Sequence, residues 1–194
     1  MTTTDGTSPR TEGPFRLLSG RTDDEWLLLD AESADPTYVP RESLPDDAVV
    51  GNRIDADISW DGDDPVVESA SIETTTTVEF VRTEAVIFKA AQNCFEKARA
   101  EGEAMNSRVT YNTDNQANRV LYTFAEQAGS RDLFSEFCDG LKPLEPLIAR
   151  AAQPDEVEPP FSVFVIDPEE PFVVVYIVLN PDGLLDETVR DTYL

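Results

Sequence analysis

The chain has 194 residues, 40% of them hydrophobic, which suffices for one or two cored domains and is too much for a disordered chain. Its 39 Asp and Glu against 15 Lys and Arg leave a net charge of −24, and there is no His. The lack of His excludes Ser-His-Asp and Cys-His catalysis and every His metal site.

In chain order, residues 1–14 are Thr, Gly, Ser and Pro without periodicity and predict a disordered tail. They carry neither the basic segment nor the apolar segment of a secretory signal. Phe15–Ser19 and Glu25–Asp30 read as short strands around a Gly20–Asp23 turn, and Thr37–Val39 is a candidate third strand between two prolines. Arg53–Trp60 alternates, with Ile54, Ala56, Ile58 and Trp60 on one face and Arg53, Asp55, Asp57 and Ser59 on the other, the pattern of a half-buried strand. Asp61–Asp64 is a turn, Val66–Ile72 is the returning strand, and Gly51 is a candidate bulge or tight bend. Five short strands over residues 15–73 predict a small β-barrel of the OB or SH3-like kind.

Residues 74–194 predict a second domain. Thr74–Thr77 is a hydroxyl run before a helix within Arg82–Glu101, with Ile87, Phe88, Ala91, Cys94, Phe95 and Ala98 forming its apolar stripe and Gly102 stopping it. Ser107–Asn112 is a short strand, and Thr113–Asn118 gathers turn formers. Arg119–Glu126 reads as a strand from its Val, Tyr, Thr and Phe, with a helix as the alternative. Ser130 is read as the cap of a helix over Arg131–Cys138, and Pro143 or Pro146 opens another to about Ala152. Phe161–Asp167 and Phe172–Asn180 are strands, the second apolar on both faces as a central strand is. Leu184–Leu194 is a polar tail with a helical turn. The fold class is therefore α+β, a small N-terminal barrel followed by an antiparallel sheet of about four strands with helices on one face.

Charge is unevenly distributed. Residues 1–80 hold 19 acids and 5 bases, residues 104–153 hold 6 and 5, and residues 154–194 hold 10 and 1. Twelve of the 15 bases are Arg. Abundant carboxylates with few lysines fit a cytosol at molar salt, where the Debye length is about 3 Å and like charges are screened. Cys94 and Cys138 match no metal-site spacing and are expected to be reduced and buried. The longest apolar run, Phe172–Leu179, is too short to span a bilayer as a helix, so no membrane role is expected.

The near-neutral stretch is where function is expected. Amides, hydroxyls and arginines occupy positions that elsewhere carry acids. Asn106, Arg108, Asn112, Asn118, Arg119 and Arg131 are the candidate ligand-binding residues, with Arg131 near a helix N-terminus. Turn formation and local ion pairing compete for the same side chains. There is no Walker A loop, no dinucleotide fingerprint and no twelve-residue calcium loop, so no catalytic residue, metal or cofactor is expected. The reading is a non-enzymatic binding or interaction protein, its partner another protein or a small anionic ligand. The alternative is a nucleic-acid binder using the barrel, with Trp26 and Trp60 stacking bases; 19 acids against 5 bases over residues 1–80 disfavour it.

The segments GEAMNSRVTYNTDNQANRVLYTFAEQAGSRDLFSEF, PLEPL and FVVVYIV…DGLLDETVRDTY resemble an uncharacterised protein family from haloarchaea. The resemblance covers most of residues 15–194. It implies a salt-adapted cytosol and supplies no chemistry.

Overall fold

The structure is a computed structural model that describes residues 8–129 and 131–194. It divides into two compact units, one running through Thr74 and one from Thr75 to Leu194.

The first unit is a five-stranded antiparallel sheet of order β3-β2-β1-β4-β5, built from β1 (Arg10–Ser19), β2 (Glu25–Asp30), β3 (Pro36–Pro40), β4 (Arg53–Asp61) and β5 (Asp64–Thr74). It curls into a half-barrel, which corrects the small OB- or SH3-like barrel expected for residues 15–73. Closure needs main-chain pairing between the first and last strands of the order, and β3 and β5 remain edges. Its concave side gathers Phe15, Leu17, Trp26, Leu28, Val39, Ile54, Ala56 and Ile58. The alternation read for residues 53–60 supplies the last three.

The tail assignment needs a second correction. Residues 1–7 lie outside the described residues, but Arg10–Pro14 belong to β1 and pair with Asp55–Ser59 of β4. Composition hid this, because a strand's ladder bonds are made by the main chain. Gly51 makes the tight bend expected of it, with φ of 98°: its N–H donates to Leu17 O at 2.8 Å, and its carbonyl accepts from Nη1 of the buried Arg16 at 2.7 Å.

The second unit is a sheet of order β6-β9-β10-β8-β7. Its strands are β6 (Thr77–Arg82), β7 (Met105–Tyr111), β8 (Ala117–Ala125), β9 (Ser162–Asp167) and β10 (Phe172–Val178). The expected four antiparallel strands are five, because β6 is a strand where a hydroxyl run and a helix start were read, and it lies parallel to β9. Residues 117–125 are a strand, paired with both β7 and β10. The helices are α1 (Lys89–Glu101), α2 (Leu133–Cys138), α3 (Glu145–Ala151) and α4 (Leu184–Tyr193), the last a full helix rather than a turn. Ser130 lies outside the described residues. The N-cap of α2 is Asp132, whose carboxylate accepts from Phe134 N and Ser135 N.

Helices cover both faces of this sheet rather than one. Strand side chains alternate, and Leu121, Phe164, Ile166, Phe172, Val174 and Tyr176 share a cluster with Ile87, Ala91 and Cys94 of the α1 segment and Val189 of α4. On the opposite face, Phe124 meets Phe137 of α2 and Phe80 meets Phe134 of α2, while the Tyr122 hydroxyl donates to Leu147 O of α3. A central strand of a sheet covered on both faces is apolar along its length, as β10 is, and β9 is also buried throughout, with Ser162 and Asp167 at its ends. No helix among the described residues is long and apolar enough to cross a membrane.

Candidate interaction surface on the β7–β8 hairpin

Strand β7 is the outer edge of the second sheet, held by β8 alone. Its register pairs Asn106 with Thr123, Arg108 with Leu121 and Thr110 with Arg119. The adjoining bond from Ala125 N to Ala104 O, 2.8 Å, belongs to the same alternating set. In an antiparallel ladder every second residue directs its N–H and C=O at the partner strand and the residues between direct theirs away. The even-numbered residues of β7 thus bond to β8, and Met105, Ser107 and Val109 turn their main-chain groups outward. The Ser107 N–H confirms the parity: it donates to the Asn106 side-chain oxygen, 2.9 Å. No other bond to these outward groups is present among the described residues.

The side chains of β7 divide between the two faces. Asn106, Arg108 and Thr110 lie on the face covered by α1, and Asn106 Nδ2 donates to Cys94 O of that helix at 3.0 Å. Arg108 is exposed, and its side chain makes no hydrogen bond or ion pair among the described residues. Together with Lys97 and Asn93 of α1 it borders a hollow of ≈ 360 Å³. Cys94 also lines it, and burial pushes its thiol up, against smaller opposing effects of Thr123, Arg108 and Lys97. Cys138, in α2, is pushed up to about 11, chiefly by burial. On the other face of β7, Met105 and Tyr111 are exposed and Val109 is half-buried.

The remaining candidates serve the hairpin. Asn112 closes its turn, its Oδ1 accepting from Asp114 N and Gln116 N at 2.9 Å each, with Asn115 at φ 61°. Asn118 Oδ1 accepts from Thr110 Oγ1 at 3.0 Å. Arg119 donates from Nε to Thr110 Oγ1 at 2.6 Å and from Nη1 to the Tyr176 hydroxyl at 2.8 Å. Asn112 and Asn118 border a separate cleft of ≈ 660 Å³ between the turn and the start of α4. Arg131 borders a third hollow, with Met105, Phe124 and Lys142. The six residues therefore form no single face. Asn106 and Arg108 come together, Asn112 and Asn118 come together elsewhere, Arg119 is half-buried, and Arg131 stands apart.

Two features escaped sequence reading. Lys97 joins Arg108 because α1 packs across β7; its position three residues beyond Cys94 places it beside the buried stripe, and nothing local marks it further. The second is an ion network at the carboxyl ends of the parallel strands β6 and β9. Arg82 contacts Asp132 and, from Nη1, Asp167 Oδ2 at 2.8 Å. The Arg82 hydrogen bond holds Asp132 below the usual carboxylate range, while burial raises Asp167 and Glu126. Arg82 also lies 4.6 Å from the Phe134 ring centre, so the network fastens the start of α2 to the sheet. No group of three or more Cys, Asp or Glu among the described residues is arranged to hold a metal ion.

In the first unit both tryptophans have structural partners. Trp26 is buried, and the Arg41 guanidinium lies 3.9 Å from its ring centre. Trp60 Nε1 donates to Thr11 Oγ1 at 3.0 Å. The hollow beside Trp26, ≈ 790 Å³, is bordered by Asp24, Glu42 and Asp46.

The chain belongs to a family of unknown function, DUF6663, whose model matches residues 7–194. No curated protein and no solved structure matches it.

Proposed function

We propose that this protein is a non-enzymatic binding protein of a salt-adapted cytosol, of the kind haloarchaea maintain, and that its contact surface is the outer edge of β7 with the cationic hollow beside it. The observation that carries the reading is a contrast among the sheet edges. Exposed edges invite unwanted pairing and are usually blunted by charge or proline. Edge β3 has Pro36 and Pro40 at its two ends. Edge β5 carries Asp64, Pro65, Glu68 and Glu73, and β6 carries Glu79. Edge β7, MNSRVTY, has neither proline nor acid in a chain with 39 acids, and its one charge is Arg108. From residue 105 to 125 the one acid is Asp114, in the turn. Neutral polar surface costs less to desolvate than carboxylates do, which suits a contact.

The nucleic-acid reading has less support. Acids border the hollow of the half-barrel, and Arg41 occupies the face of Trp26. Molar salt also weakens phosphate attraction, so such a binder depends on stacking.

Photo-crosslinking in the source cells tests the proposal. A photoreactive residue at Tyr111 or Met105 is expected to capture a discrete protein band, and one at Val66 on the β5 edge is not. Equal capture from all three positions, or capture from Val66 alone, would sink the assignment.

A further inference from the structure

We propose that the β7 edge receives an extended segment of a partner protein as an additional strand, and that this segment alternates acidic with apolar residues. The inference rests on the contact surface assigned above and names what occupies it.

The outward main-chain groups of Met105, Ser107 and Val109 form an unsatisfied ladder along the length of β7, with the Ser107 N–H bonded to Asn106 and the rest unpartnered among the described residues. Strand addition satisfies such a row, with main-chain bonds giving affinity and alternate side chains giving specificity. A residue of the incoming strand directly opposite Arg108 shares the Arg108 face, about 4.5–5.5 Å away between Cβ atoms. That face holds Arg108 and Lys97, and neither has a carboxylate partner among the described residues. Acidic side chains on this side of the incoming strand complete both charges. Its other side lies over Met105, Val109 and Tyr111, where apolar side chains extend the exposed apolar surface. The demanded pattern is thus acid, apolar, acid, apolar.

Charge also argues against a second copy of this chain as the occupant. A second copy completes neither charge: antiparallel self-pairing centred on Ser107 or Val109 sets Arg108 opposite Asn106 or Thr110, and the register between them sets the two Arg108 side chains directly opposite, where like charges are destabilising. At molar salt, screening within about 3 Å removes long-range repulsion between an acidic segment and the −24 chain but leaves contact ion pairs in place.

Asn106 is the latch of this edge. Its side chain links Cys94 O to the Ser107 N–H and must release the latter when a strand pairs there. Asn106→Ala leaves that N–H free for the incoming strand.

The test uses the full chain in molar KCl and a fluorescein-labelled nine-residue peptide alternating Glu and Val, read by anisotropy. Saturable binding is expected, with Met105 and Val109 amides gaining protection from hydrogen exchange. Lys97→Glu with Arg108→Glu is expected to weaken binding by about tenfold or more, as loss of charge-assisted bonds does. Asn106→Ala is expected to keep or tighten it. A peptide N-methylated on alternate amides of its bonding edge is expected not to bind, and one methylated on the other edge to bind normally.

Equal binding of both N-methylated peptides, or of an alternating Lys and Val peptide, overturns strand addition by an acidic segment. So does dimerisation through β7 detected by sedimentation, which assigns the edge to a second copy. Crosslinking from β7 without peptide binding leaves the contact surface standing and refutes this occupant. Failure of both refutes both.

Discussion

Arg108 and Arg119 lie on the same face of one hairpin, yet their removal should have opposite consequences. Arg119 is half-buried and makes two charge-assisted hydrogen bonds, to Thr110 Oγ1 at 2.6 Å and to the Tyr176 hydroxyl at 2.8 Å. Tyr176 is 3% exposed, so losing Arg119 strands a buried hydroxyl. Arg119→Met is therefore expected to cost about 2–4 kcal/mol, combining lost bonds with that stranded group. With a urea slope of roughly 1–3 kcal/mol per molar, the middle of both ranges lowers the midpoint by about 1.5 M. Arg108→Met removes no bond and should stay within about 0.5 kcal/mol. Repeating Arg119→Met in a Tyr176→Phe background should recover part of the cost, since no hydroxyl is then left unpaired. Trp26 and Trp60 report on the first unit, which also holds Tyr38, and Tyr111, Tyr122, Tyr176 and Tyr193 lie in the second, so the assay is run in a Tyr38→Phe background. Near-ultraviolet tyrosine signals should shift with Arg119→Met while tryptophan fluorescence keeps its midpoint. Equal tyrosine midpoints for the two arginine variants would refute the reasoning, because the cost could not then come from the two bonds.

Three further outcomes are expected. Residues 75–194 expressed alone in molar KCl should keep near-ultraviolet circular dichroism, because their sheet is covered on both faces by their own helices; loss of that signal would mean one continuous core. The thermal midpoint of the full chain should fall steeply as KCl drops below a few tenths molar, since the screening length then outgrows about 4 Å; a salt-independent melt would remove the basis for a salt-adapted protein. Asp132→Asn keeps a capping oxygen and removes the charge that Arg82 holds. Because the folded value of Asp132 is depressed, its contribution is present above the unfolded value near 3.8 and is lost as pH falls through the lower folded value. The pair is about half exposed, so the difference from wild type should be below about 1 kcal/mol at neutral pH and should vanish in strong acid. A difference that grows on acidification would contradict the sign.

What could be read from sequence was what local period and composition encode. The alternation at residues 53–60 and the all-apolar run at 172–178 identified β4 and β10, because the burial of each face is written at every second position. Val, Tyr, Thr and Phe in residues 119–126 favoured the strand over the helix for the same reason. β6 was missed although TVEFVR has strand composition, because the threonine run before it reads as a linker and its pairing partner β9 lies 85 positions away, as in the Phe161 N to Thr76 Oγ1 bond. Sheet closure and the side on which helices pack depend on such distant pairings, so the small barrel and the one-sided layer were the parts to fail.

The candidate surface divides along the same line. The lack of acids around residue 108 is a composition signal, visible without any fold. That Met105, Ser107 and Val109 turn their backbone outward follows from the bond parity of β7 with β8 and from β7 having no strand beyond it. Neither condition is local. Without the edge, a neutral strand in an acidic protein is equally well explained by burial, as it is for β10. With the edge, burial fails as an explanation, because Met105, Ser107, Arg108 and Tyr111 are exposed. The other edges carry acids or prolines, whereas the one charge on β7 is Arg108. What supports the proposed contact is an exposed edge strand without acid or proline whose alternate main-chain groups face outward.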